Sequence, residues 1–303
     1  MSRRVLLVAL LFVAGRIVAH AQDCIPAPQS EKTFQAPVRG VSFSGRDLLL
    51  DRNTQSAIAE IALHRIISPN SVEQQMSNLE EEIGERTRIA LQNEGYFKAE
   101  VESKAVKVGE NPGQYHIEVL IRSPYGQYKL GDLRFTGAVY FPTQQLRDLF
   151  PIQQGEVFSG DKINHGLDAL RRLYNSQGFV NSTPVPNVEF YDNAGVANLT
   201  VSVDEGKQFR VRSLDVLGTD LETRALLLDA LALRPGDIYD STAWERVLKD
   251  FPNAAKDPHP GMIKTTLDER NALIDVVLDL RPRPTCRGVA STGAPTLVDP
   301  RNL

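Results

Sequence analysis

Cysteine, tryptophan and methionine are scarce in this chain, at two, one and three of 303 residues. Two cysteines cannot build a disulfide-dense scaffold or a four-cysteine zinc site. Histidine is almost as thin. Of five, His20 falls in the leading apolar segment and the other four are scattered, with no HExxH pair. There is no GxSxG elbow to carry a nucleophilic serine. "GEVFSGDK", Gly155 to Lys162, approaches a phosphate-binding loop. Asp161 separates Gly160 from Lys162 and no Ser or Thr follows the lysine, so the required G-K-[ST] is missing and a joint between helices is expected. "DPHPG", Asp257 to Gly261, offers one histidine and one carboxylate, too few for a metal site. No enzyme and no cofactor are expected. A formal charge of -4, with basic residues scattered rather than striped, speaks against nucleic acid.

Long apolar runs are also lacking, with one exception. Arg3 and Arg4 precede the apolar run Val5 to Val13, and Ala19-His20-Ala21 offers the small residues a signal peptidase needs. Arg16 interrupts the run short of the ~20 residues needed to cross a bilayer. Residues 1–21 are therefore expected to be a secretory signal peptide, leaving no spanning segment after cleavage. Export permits a disulfide between Cys24 and Cys286, with free or intermolecular thiols as the alternative.

What the chain does contain is a repeat. "APVRGVSFSG", "YKLGDLRFTG" and "FRVRSLDVLG" each alternate apolar and polar residues and stop at a glycine: Gly45, Gly137 and Gly218. Val41 and Phe43, Leu133 and Phe135, and Leu214 and Val216 share one face of a strand in this pattern. "YHIEVLI", "ANLTVSV" and "ALIDVVLDL" also alternate. Each follows a strand and a turn, so each unit closes on a β-hairpin. Helical spacing lies between. "SGDKINHGLDALRRLYNSQGF" sets Ile163, Leu167, Leu170 and Tyr174 on one stripe, with Ser159 or Asp161 as the cap. Ser71-Val72-Glu73-Gln74 fits a capping box before Met76, Leu79 and Ile83. "LQNEGYF" and "LYNSQGF" end two helices alike, and their glycines, Gly95 and Gly178, lie 83 positions apart. Tyr96 and Phe179, the aromatics that follow, are expected to plug the seam between helix and sheet, and Trp244 to pack under the third helix pair. The third unit has "PNAAKDPHPGM" where the glycine motif is due.

The fold class is thus α+β: three tandem β-α-α-β-β modules, each a three-stranded sheet covered on one face by two helices. The expected boundaries are a flexible linker at 22–36, modules at 37–126, 127–206 and 207–283, and a disordered tail at 284–303.

The strand ending in glycine, the "GEVFS" and "GDIYD" joints, the "LYNSQGF" helix end and the "VSVDEGKQFRV" passage resemble polypeptide-transport-associated (POTRA) domains. These form the periplasmic arm of outer-membrane barrel-assembly and two-partner-secretion proteins. The resemblance covers about residues 37 to 283 and is most specific for 127 to 206. After the last strand comes only "RPTCRGVASTGAPTLVDPRNL", too short for the eight or more strands of a barrel. The resemblance implies a periplasmic location, associated with the outer membrane. It implies as partners unfolded outer-membrane proteins or a separate outer-membrane β-barrel. A structural scaffold holding one dedicated partner is the alternative.

The resemblance also puts the first strand of each terminal hairpin at a sheet edge, where free N–H and C=O groups can pair with an extended client. The candidates are Val185, Asn187, Val188, Glu189, Phe190 and Tyr191 in the second module. In the third they are Met262, Ile263, Lys264, Thr265, Thr266 and Leu267. The stretch around Val101 to Val106 is the counterpart in the first. Pro184 and Pro186 are expected to limit pairing at the start of the middle edge.

Overall fold

A computed structural model describes residues 37–45, 50–67, 71–109, 114–251 and 261–281, together with the pairs 25–26, 34–35 and 285–286. The expected signal peptide, Cys24 and the side chain of Cys286 lie outside the described residues.

The first module runs β1 (Val38–Ser44), α1 (Arg52–Leu63), α2 (Val72–Asn93), β2 (Glu100–Val108) and β3 (Gln114–Arg122). The second runs β4 (Lys129–Thr136), α3 (Thr143–Asp148), α4 (Gly160–Ser176), β5 (Thr183–Tyr191) and β6 (Val196–Asp204). The third runs β7 (Arg210–Leu217), α5 (Leu221–Leu231), α6 (Ala243–Asp250), β8 (Ile263–Asp268) and β9 (Leu273–Asp279). Each has its own three-stranded sheet, in the order β1-β3-β2, β4-β6-β5 and β7-β9-β8. The module's last strand is always central. It pairs in parallel with the first strand and antiparallel with its hairpin partner. The parallel pairing needs a crossover, and the two helices supply it.

The central strands show why the alternation was so regular. Ala197, Leu199, Val201 and Val203 of β6 are buried while their neighbours are not. The stripe Ile163, Leu167, Leu170 and Tyr174 of α4 is buried against them. Each module has a separate apolar core, and Trp244 is fully buried in the third. At about 1.5–3 kcal/mol per fully buried large side chain, these cores dominate what holds each helix pair to its sheet.

Local signals were met with two exceptions. Ser159 caps α4 by accepting from the Lys162 N–H at 3.5 Å, and Asp51 and Asp220 cap α1 and α5. Ser71 sits at the N-cap of α2, but its hydroxyl makes no cap hydrogen bond. It accepts instead from the Gln75 side chain at 2.7 Å, so the expected capping box is not formed. The strand-ending glycines also differ in what they need. A Cβ at Gly45 would lie 2.4 Å from the Ile121 carbonyl oxygen, and one at Gly137 2.3 Å from that of Val203. Close passage over the last strand, rather than a left-handed turn, is the demand common to both, since only Gly137 and Gly218 of the three have positive φ.

Within the expected linker and tail, Ile25–Pro26 pairs in parallel with Thr285–Cys286. Separately, Phe34–Gln35 pairs antiparallel with Ile66–Ile67. Neither two-residue pairing is signalled by apolar alternation.

The two glycine-ended helices do more than reverse the chain. Gly95 and Gly178 have φ of +83° and +80°. The N–H groups of Tyr96 and Phe179 return to the carbonyls of Leu91 and Tyr174 at 2.8 and 3.1 Å, which closes each helix in a Schellman turn. Phe179 is buried and Tyr96 packs against the first core, as expected. The glycine carbonyls then accept from the next module: Tyr128 N–H to Gly95 at 3.0 Å, and Phe209 N–H to Gly178 at 2.8 Å. Tyr128 and Phe209 in turn accept through their own carbonyls from Phe158 and Tyr239. Gln127 and Gln208 donate to the carbonyls of Glu94 and Gln177 at 2.8 and 3.0 Å. Phe97 and Val180 pack into the core of the following module. Contacts between successive modules thus gather at the helix ends.

Candidate strand-docking edges

A strand at a sheet margin offers a partner only those backbone groups that point outward, so the register decides which candidates qualify. In the second module, Lys129 N–H donates to the Gly195 carbonyl at 2.9 Å. Gly195 and every second residue after it therefore face β4. Val196, Asn198, Thr200, Ser202 and Asp204 face β5, opposite Tyr191, Glu189, Asn187, Val185 and Thr183. Those five β5 residues spend their N–H groups inside the sheet. The outward set is Pro184, Pro186, Val188 and Phe190. Both prolines fall in it, where a missing N–H costs the ladder nothing. The middle edge thus keeps two outward donors, Val188 and Phe190.

The third module is read in the same way. Asp279 N–H donates to the Met262 carbonyl at 2.8 Å, so Met262, Lys264 and Thr266 turn inward and Ile263, Thr265 and Leu267 turn outward. Met262 is also buried in the core. Among the described residues, no side chain bonds the outward groups of β5 or β8. On the exposed face of β8, Lys264 pairs with Asp279 at 3.1 Å. Asp279 is held below the usual carboxylate range chiefly by Arg281 and then by Lys264, against the opposing effect of burial. Val185 and Tyr191 are half exposed, at 53% and 48%. They offer apolar surface on the open face beside the middle edge.

Two polar networks brace the elements that carry these edges. The Tyr128 hydroxyl donates to Asp192 at 2.7 Å, and Lys98 of the first module also pairs with Asp192. Asp192 sits in the turn that follows β5. Phe97 lies 5.7 Å from the ring of Phe190, so the far end of β5 is steadied by the preceding module. In the second network, Glu205 accepts from the Val139 and Tyr140 N–H groups and from the Tyr174 hydroxyl, each at 2.8 Å. Burial alone would raise this carboxyl, but the three donors together hold it below its ordinary value. The Tyr174 hydroxyl is pushed up by burial and by its carboxylate partner. Glu205 is not among the residues singled out from the sequence. A carboxylate 31 positions beyond a helical tyrosine gives no local sign of this contact.

Among the described residues, no group of three metal-ligating side chains is present, and no helix is long and apolar enough to cross a membrane.

The POTRA family model, described as a surface antigen variable number repeat, matches residues 128–206. Over 147 residues the chain is 20% identical to the outer membrane protein assembly factor BamA of Buchnera aphidicola, covering 45% of this chain and 24% of that protein. Over 177 residues it is 22% identical to an outer membrane protein assembly factor of Treponema pallidum, covering 55% of this chain and 20% of that one. The chain thus spans a quarter or less of the length of these curated relatives. A crystal structure of Haemophilus influenzae BamA POTRA3-5 superposes with a TM-score of 0.64 at 17% identity, over 84% of this chain and 99% of that one. Residues 128–206 match the POTRA family model, and the three described modules share the fold of that POTRA3-5 structure.

Proposed function

We propose that this chain works in the periplasm, in association with the outer membrane, as a non-enzymatic binder of extended polypeptides during outer-membrane protein assembly or transport. Its handle is backbone pairing at exposed sheet edges. The observation that carries this reading is the set of outward N–H groups on Val188, Phe190, Ile263, Thr265 and Leu267, for which no bonded side chain is found among the described residues. Backbone pairing reads little sequence, which suits unfolded clients of many kinds. The names of the assembly-factor relatives point to the same process.

Thr265→Pro tests the reading. It deletes one outward donor, and the sheet loses no ladder bond of its own. Binding of an alternating Val/Thr peptide of strand length should weaken about fivefold or more, the worth of roughly 1 kcal/mol for one hydrogen bond. Far-ultraviolet circular dichroism should not change. An unchanged affinity in a folded Thr265→Pro protein would refute edge pairing at β8. Crosslinking in the periplasm separates the broader alternatives. Many unfolded barrel proteins in the catch support a client binder, and a single stoichiometric partner would replace it with a dedicated scaffold.

A further inference from the structure

The first module's edge is built differently. Tyr115 N–H donates to the Pro37 carbonyl at 2.7 Å, which fixes the phase of β3 and turns Val101, Ser103, Ala105 and Lys107 of β2 outward. Here one outward N–H, that of Ala105, has a side-chain partner, and two neighbouring side chains bond the same helix. Ala105 N–H donates to the Glu80 carboxylate at 2.9 Å. The Ser103 hydroxyl donates to the Glu80 backbone carbonyl at 2.8 Å. Lys107 reaches Glu73, one helical stretch earlier, at 2.8 Å. Gly84 permits the approach of α2, since a Cβ there would lie 2.6 Å from the Ser103 oxygen. Between helix and strand runs a groove of about 480 Å³, lined in part by Ser77, Glu80, Gly84, Val101 and Ser103.

The second module has no such device. Counting back fifteen positions from the helix-ending glycine gives Glu80 in the first module and Ile163 in the second. Ile163 is buried and has no acceptor.

We infer that Glu80 is a latch on the first module's strand-docking edge. At Ala105 its carboxylate takes the place that a partner strand's carbonyl would occupy. The groove beside β2 therefore admits an extended polypeptide only when Glu80 is displaced. The docking half of this inference rests on the edge-pairing reading above. The latch itself does not.

The test uses the full chain with Glu80→Ala and Glu80→Gln, read by amide hydrogen exchange and by amide shifts on adding the Val/Thr peptide. Without peptide, Glu80→Ala should speed exchange at Ala105 about tenfold or more, because a hydrogen bond to a charged group is lost. Glu80→Gln keeps an acceptor and should restore most of the protection. Ile117 and Val119 should stay protected in both variants, which shows that the module is folded. With peptide, shifts should appear across Val101 to Lys107 in Glu80→Ala and be absent in the parent. Unchanged exchange at Ala105 would overturn the latch. Faster exchange, with peptide shifts on β5 or β8 but none on β2, would make Glu80 a structural contact and overturn the gate. Shifts on none of the three edges would defeat edge docking itself and the gate with it.

Discussion

Replacing Gly178 by alanine tests the joint between the second and third modules. At φ +80° an alanine is strained by about 1–2 kcal/mol. Its Cβ would also lie 2.7 Å from the Phe209 carbonyl oxygen and 3.0 Å from the Ile238 side chain. Relieving that overlap pulls Phe209 away from the Gly178 carbonyl and gives up a bond worth about 1 kcal/mol. The expected cost at the joint is about 2–3 kcal/mol. Gly236 is the control. Its φ is +97°, and nothing lies within 4 Å of a Cβ built on it, so Gly236→Ala carries backbone strain without the overlap. Native-state hydrogen exchange is the suitable assay, because separate cores make a single unfolding transition an unsafe assumption. The Phe209 amide should exchange roughly thirty- to a hundredfold faster in Gly178→Ala. It should move much less in Gly236→Ala, and Leu170 in mid-helix should stay protected in both. Equal acceleration of Phe209 in the two variants would show that strain alone matters and that the helix end is not the joint.

Three further outcomes follow from the same contacts. Tyr174→Phe removes one of three donors to Glu205 and should cost the second module about 0.5–1.5 kcal/mol, read as faster exchange in α4. It should also raise the Glu205 carboxyl in a carbon-detected titration. Asp275 is pulled down to about 2 by Arg212 and then by the Ser213 hydroxyl, against its ordinary 3.8. A depressed carboxyl contributes stability fully above about 3.8 and loses it as pH falls toward about 2. Trp244 is the chain's one tryptophan and lies in that core, so its fluorescence reports the third module alone. Asp275→Asn should make this signal less stable at neutral pH and flatter on the acid side, and an unchanged acid limb would refute the assignment. Pro186→Thr should restore an outward donor on β5 and strengthen Val/Thr peptide binding. An unaltered affinity would mean that this half of the edge is not used.

Much of the fold was legible because it rests on short-range periodicity. Alternation in "ANLTVSV" reports a strand buried on one side, and the helical stripe from Ile163 to Tyr174 reports the face that covers it. What escaped depends on groups distant in sequence or on the backbone. The Gly178 carbonyl has no residue-type signature, so its bond to Phe209 is invisible until the modules are placed together. The aromatic after the glycine was legible as a plug, but the next residue, Phe97 or Val180, entering the following core was not. The Ser71 box failed for a local reason: Gln75, one turn on, competes for the same hydroxyl. At the edges, five of the twelve candidates, Val188, Phe190, Ile263, Thr265 and Leu267, turn their backbone groups outward. A run of candidates says nothing of which backbone groups point outward until one hydrogen bond fixes the phase. Pro184 and Pro186 were the exception. Their spacing of two, inside a strand, already marked the outward face.

The joints and the edges differ in how they are encoded, and this bears on how the chain meets a strand. The joint repeats almost group for group, because it is made of carbonyls, amides and a glycine that must sit at each helix end. The edges diverge, because side chains beside them decide which outward donors stay open. A series of modules meant only to keep a spacing would have no need of a carboxylate at Ala105 or of prolines at 184 and 186. One meant to pair alike at every margin would be hindered by them. On the edge-pairing reading, an incoming strand finds its longest uninterrupted run of outward donors at Ile263, Thr265 and Leu267. It finds a shorter run at Val188 and Phe190, and an occupied position at Ala105. Pairing should therefore be strongest at the third module, and releasing Glu80 should raise the first without touching the other two.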